Sequence, residues 1–160
     1  MLSVSDIELF FFQAMKNGYA SSPAKGTIAE LPGSKTITFQ DGNLQLVDCW
    51  FAADNGRSFG NTIIFKDEKP IWMMHYWGHY DKGVISFLKK ALAENYNRDH
   101  SFTYDFNGCR GPKLFNGVGM TYVNLIAHKS LFEEFAGHEE IIGDHIVRGW
   151  HYYHGWMLQS

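Results

Sequence analysis

The sequence is poor in several things that usually announce a function. Only Cys49 and Cys109 are cysteines, far apart and outside any Cys-x-x-Cys pair. This excludes a zinc knuckle and a dithiol redox motif, and two free thiols fit a reducing compartment. No long run of Lys or Arg exists, and the net charge is −3. Neutralising phosphates needs a concentrated basic footprint, so direct nucleic-acid binding is not expected. The apolar run Leu9 to Phe12 is too short to span a membrane, and Asp6 and Glu8 stand where a signal peptide would carry Lys or Arg. No Gly-x-Ser-x-Gly elbow, P-loop or dinucleotide fingerprint occurs. The expectation is a soluble, cytoplasmic single domain over residues 1–160 with no cofactor.

Aromatic residues are what the chain has in abundance. Thirteen Phe, eight Tyr and five Trp make 16% of it, within 45% hydrophobic and 19% charged residues. The balance is that of a globular protein, and the aromatic excess implies a dense aromatic core or an aromatic-lined cavity.

Ser5-Asp6-Ile7-Glu8 has capping-box spacing, Ile7, Phe10, Phe11 and Ala14 then share a helical face, and Gly18 stands at the C-cap position. An N-terminal helix follows. Residues 19–34 are rich in Gly, Pro and Ser and read as a loop. Lys35 to Gln40 alternates, Asp41-Gly42 signals a turn, and Asn43 to Phe51 returns as the partner strand. Asn61 to Lys66 and Ile71 to Trp77 form a second pair around Asp67 to Pro70. Val84, Phe87, Leu88, Ala91 and Leu92 mark a central amphipathic helix. Ser101 to Phe106 reads as a short strand and Met120 to Ala127 as another. Leu131 to Phe135 fits either a helical turn or a strand end, and Glu139 to Ile142 with Arg148 to His154 closes the chain.

An offset of 77 residues superposes Gly60 on Gly137, Ile64 on Ile141, Asp67 on Asp144, Tyr76 on Tyr153 and Gly78 on Gly155. This reads as a worn internal repeat. The expected fold is α+β, with two related antiparallel β units, an N-terminal helix and a central amphipathic helix. Alternation places Ile71, Met73, His75 and Trp77 on one face, with Arg148, Trp150, Tyr152 and His154 as repeat partners. Trp72, Met74, Tyr76 and Gly78 form the other face, with Gly149, His151, Tyr153 and Gly155. Both faces are aromatic, so these strands are expected to be central and covered on both sides.

Phe10 to Ala20, Asp48, Phe59-Gly60, Pro70-Ile71-Trp72, Tyr76, Gly78, Phe87 to Leu92, Arg110-Gly111-Pro112 and Gly137-His138-Glu139 together carry a family resemblance. In their order and spacing the chain resembles a bacterial family of unknown function. Its members stand alone or follow helix-turn-helix domains of transcriptional regulators. The pattern has an acid two places after the first glycine; Thr62 holds that place here and Glu139 holds it in the second copy. The resemblance implies fold and context but no activity.

The leading expectation is a non-enzymatic binding or sensing domain with an aromatic, His-containing cavity for a small, flat or weakly anionic molecule. Trp77 or Trp150 would stack on it, His75, Tyr152 and His154 would donate or accept hydrogen bonds, and Arg148 or Arg110 would meet negative charge. Arg110 could equally order its loop through a salt bridge. One alternative is a small hydrolase- or isomerase-like enzyme using His and a carboxylate, with Asp48, Glu139, His75 and His154 as candidates. Another is an interaction module that docks a regulator or a second copy. No metal site is expected: on strands, neither His75 with His79 nor His151 with His154 can chelate one ion. A metal would have to draw His75 and His154 together with Glu139 or Asp48.

Overall fold

The computed structural model describes residues 2–100, 106 and 108–158. Helix α1 (Val4–Lys16) starts two residues earlier than its sequence signal suggests. Ser3, not Ser5, is the N-cap: its hydroxyl accepts from the Asp6 amide, and the Asp6 carboxylate accepts from the Ser3 amide. The reciprocal pair is a capping box. Gly18 lies beyond the C-cap Asn17 and has a negative φ, so it is not the left-handed cap residue. Helix α2 (Ile85–Tyr96) follows a 3-10 turn at Lys82–Val84.

The strands are β1 (Gly26–Ile28), β2 (Leu31–Asp41), β3 (Leu44–Ala52), β4 (Arg57–Lys66), β5 (Lys69–Tyr80), β6 (Leu114–Gly117), β7 (Met120–Ile126), β8 (Glu134–Gly143) and β9 (Ile146–Met157). All pairings are antiparallel, in the order β1-β2-β3-β4-β5-β9-β8-β7-β6. The fold is therefore α+β, and the expected two β units are parts of one continuous nine-stranded sheet. Residues 19–34, expected as loop, hold a 3-10 turn, β1 and the start of β2. Leu131 to Phe135 resolves as an isolated bridge leading into β8. The strand expected at Ser101 to Phe106 falls almost wholly outside the described residues.

Two hairpins share unusual details. The β4–β5 turn places Asp67 and Glu68 at positive φ, and the β8–β9 turn does the same with Asp144 and His145. Two-residue hairpin loops favour this backbone because its twist matches that of the strands. Each hairpin also carries one register irregularity, at Ile64/Phe65 and at Ile141/Ile142.

Both helices pack on the same face of the sheet. Phe11 meets the Trp72 ring at 5.0 Å, and Trp72 stacks on Phe132 at 5.1 Å while its indole N–H donates to the Phe132 carbonyl. The covered face is the one holding Trp72, Met74, Tyr76, Gly78, His151 and Tyr153, all buried. No helix among the described residues covers the opposite face, where Phe59, Trp77 and Tyr152 are each about half exposed. The expectation of cover on both sides is thus corrected. Aromatic residues alternate through β5 and β9, but the only helices among the described residues lie on one side.

Glycines make room for the rings of the covered face. The Tyr76 ring lies across Gly60, where an added Cβ would fall 2.6 Å from the Tyr76 hydroxyl and 2.6 Å from the Cys49 carbonyl oxygen. At Gly78 a Cβ would overlap the His151 ring. Such cross-strand glycine–aromatic pairs keep large rings flat on a sheet. Gly60→Ala must displace backbone as well as a ring, and chemical denaturation should show a loss of about 1–3 kcal/mol.

Candidate functional site

A cavity of about 200 Å³ lies between the covered face and the two helices. Alternation on β3 turns Leu44, Leu46, Asp48 and Trp50 inward, so an acid occupies a core phase of an otherwise apolar series. Asp48, Thr62, Tyr76, Arg110, Tyr96 and His151 line one region of the wall. Leu88, Leu92, Ile85, Met15, Tyr19 and Trp50 supply apolar and aromatic surface, and Ala52, Ala53 and Lys82 line exposed parts.

Asp48 is 6% exposed. Its Oδ1 accepts the Thr62 hydroxyl at 2.9 Å and the Tyr76 hydroxyl at 2.8 Å. Oδ2 accepts nothing from the described residues. Burial raises the carboxyl above its ordinary range, opposed by those two hydrogen bonds and by the charge of Arg110.

Arg110 lies over the Tyr76 ring, with its guanidinium carbon 5.3 Å from the ring centre. Its Nη2 and Nε donate to Glu139 Oε1 at 2.6 and 3.1 Å. Glu139 is fully buried and also accepts the hydroxyls of Tyr80 and Tyr122. Desolvation pushes Glu139 upward, but the charge and hydrogen bonds of Arg110 outweigh it and hold the group below the usual carboxylate range. The Arg-Gly-Pro segment is pinned by side-chain amides. Asn95 donates to the Arg110 carbonyl at 2.6 Å, Asn124 donates to the Gly111 carbonyl at 2.9 Å, and the Gly111 amide donates to the Tyr122 hydroxyl. A loop without regular structure is thereby fixed against α2 and β7.

His151 lies 4.4 Å from the Tyr80 ring and 5.8 Å from Tyr76. Its Nε2 pairs with the Ser58 hydroxyl at 3.0 Å, and Nδ1 has no hydrogen-bond partner among the described residues. Burial first, then the charge of Arg110, depresses the imidazole to about 3, so it is neutral at pH 7.

Of the seven residues nominated from sequence, Arg110 alone lines this cavity. The other six share the uncovered face. His75 is the direct cross-strand neighbour of His154 and pairs with Asn61 at 3.0 Å. Trp77 stacks on Tyr152 at 5.2 Å and meets Trp150 edge-on at 5.3 Å. Arg148 reaches Asp81 at 3.6 Å and Asp144 at 3.4 Å. Their shared face was read correctly, but across the β5–β9 seam His75 faces His154 and Trp77 faces Tyr152, not the residues 77 positions further on. They form an aromatic surface on the face opposite the helices, where Trp77 and Trp150 border a pocket of about 710 Å³ with Phe51, Arg57 and Phe59. The hypothetical metal set divides likewise: His75 and His154 are outside, Asp48 and Glu139 inside. Among the described residues no group of three or more His, Cys, Asp or Glu is placed to hold a metal ion. No helix there is long and apolar enough to cross a membrane.

Tyr76, Thr62, Ser58 and His151 were not nominated as site residues, although each is polar at an inward strand position. That was the available signal. No curated protein and no solved structure matches the chain. A family model described as a domain of unknown function matches residues 48–158, from Asp48 through β9. With most of its length covered, including the β3, β4, β5 and β9 walls of the cavity, the chain belongs to the DUF5680 family, a domain of unknown function.

Proposed function

We propose that this domain binds a small molecule in the inner cavity without transforming it. The observation that carries the reading is Asp48, a buried carboxylate lining a cavity with one oxygen unpartnered. Oδ2 is open to the cavity, where a ligand donor would bond it in place of solvent. At about 200 Å³ the space exceeds an engineered apolar cavity of about 150 Å³ that takes up benzene, so a one-ring molecule suits it. The surrounding groups favour binding over turnover. Glu139 is occupied by four hydrogen bonds from three residues, and His151 is tied to Ser58. A sensing role in bacterial regulators, the context implied by the family resemblance, fits a cavity walled by both helices. Two meanders derived from one ancestral unit would account for the 77-residue spacing of the matched turns and register irregularities.

A fragment screen by thermal shift tests the reading with two variants. Lys82 is exposed at the inner cavity and does not line the pocket beside Trp77, so Lys82→Trp should plug the cavity without disturbing the core. Fragments that stabilise the wild type should lose their effect in Lys82→Trp and keep it in Trp77→Ala. The reverse pattern would move the site to the uncovered face.

That face supports a second reading, an interaction surface for a partner protein or a second copy. Phe51, Phe59, Trp77, Tyr152 and His138 stand in register across five strands there, with Phe59, Trp77 and Tyr152 exposed.

A further inference from the structure

The charge of the ligand can be argued from the groups that face the cavity, given that the cavity is a ligand site. Two ionisable side chains of opposite sign, Asp48 and Arg110, meet at Tyr76. Arg110 and Glu139 pair at 2.6 Å and cancel. Asp48 has no cation of its own: Thr62 and Tyr76 are neutral donors to Oδ1, and Oδ2 accepts nothing from the described residues. With Asp48 ionised, the formal sum is one negative charge without a paired cation on a carboxylate that is 6% exposed, which a cation in the cavity would offset. His151 offers no charge, being neutral and held by Ser58.

The nearby lysines do not supply the missing charge. Lys82 is exposed. Lys89 donates to the Ser22 hydroxyl at 2.6 Å and lies 4.8 Å from the Tyr19 ring centre, while Lys25 lies 5.6 Å from that of Trp50. Neither reaches Asp48 within ion-pair distance. Tyr19, Trp50, Tyr76 and Tyr96 line the same cavity; Lys89, Lys25 and Arg110 lie against the first three rings, and Tyr96 is the remaining aromatic wall. Leu88 and Leu92 add buried apolar wall suited to a hydrocarbon body.

We propose that the cavity takes a small protonated amine, a primary or secondary ammonium on an apolar body of about one ring, with an N–H donated to Asp48 Oδ2. A charge-assisted hydrogen bond replaces the unmade one, and the buried carboxylate gains its counterion.

Three near-isosteric probes test this by calorimetry at pH 7: 2-phenylethylamine, 2-phenylethanol and 3-phenylpropionate. The amine is expected to bind at least about tenfold more tightly than the alcohol, the value of a charged over a neutral hydrogen bond. The carboxylate should bind more weakly than both. Asp48→Asn, which keeps an acceptor for Thr62 and Tyr76, should bring the amine within about threefold of the alcohol. An amine no tighter than the alcohol, a carboxylate tighter than the amine, or a preference that survives Asp48→Asn would overturn the proposal. The wild-type ratio decides even if that variant fails to fold. If the alcohol binds and Lys82→Trp abolishes it while the amine shows no preference, the charge assignment fails and the cavity reading stands. If none of the three binds, both fail.

Discussion

Replacing Arg110 with Met is expected to lower folding stability by about 3–5 kcal/mol, the range for breaking a buried ion pair from one side. The pair is deep: the two side chains are 8% and 0% exposed. Removing the guanidinium leaves a Glu139 carboxylate that is 0% exposed, supported by the hydroxyls of Tyr80 and Tyr122. The cost is that of an uncompensated charge more than of a lost attraction. Arg110→Met combined with Glu139→Gln should therefore be less destabilising than the sum of the two single changes. Urea denaturation of the four proteins measures this. A single-variant loss below about 1 kcal/mol would mean that the pair behaves like a surface salt bridge.

Acid should unfold the protein partly through His151. The folded ring is depressed to about 3 from an ordinary 6.5, so between those values the unfolded chain binds a proton that the folded chain refuses. Stability from this group is complete above pH 6.5 and is lost as pH falls. Each pH unit below 6.5 costs about 1.4 kcal/mol while the folded ring stays neutral, giving roughly 3 kcal/mol at pH 4.5. Glu139, held below its ordinary range, adds a loss of the same sign at more acidic pH. Asp48, raised by burial, works the other way, since the folded state takes its proton more readily. The difference between wild type and His151→Phe removes what the two proteins share. The variant should lose about 3 kcal/mol less than the wild type between pH 7 and pH 4.5. Parallel curves would show that the folded imidazole accepts a proton near 6.5.

Much of the architecture was written in local patterns. Ile7, Phe10, Phe11 and Ala14 give α1 its buried stripe, and Val84, Phe87, Leu88, Ala91 and Leu92 do the same around α2. The β2–β3 and β4–β5 hairpins follow from alternation around Asp41-Gly42 and Asp67-Glu68. Parity also grouped Trp77 with Trp150 and Tyr152 correctly. It could not say which face the helices would cover, because rings line both faces of β5 and β9 and period 2 is blind to the difference. Tertiary contact alone puts Phe11 on Trp72 and leaves Trp77 open to solvent. Arg110 shows the same limit. Its partner Glu139 is 29 residues away, and the two amides that fix its loop, Asn95 and Asn124, flank it from α2 and β7. Asp48 was visible as an acid in an apolar phase, but only the fold shows that it lines a cavity.

The most direct test of the account is a crystal structure of the protein soaked with a fragment that stabilises it. The account predicts ligand density on the covered face, within hydrogen-bond distance of Asp48 Oδ2 and against Leu88 and Leu92. Density lying instead on the uncovered face, over Trp77 and Tyr152, with the inner cavity unchanged, would contradict it.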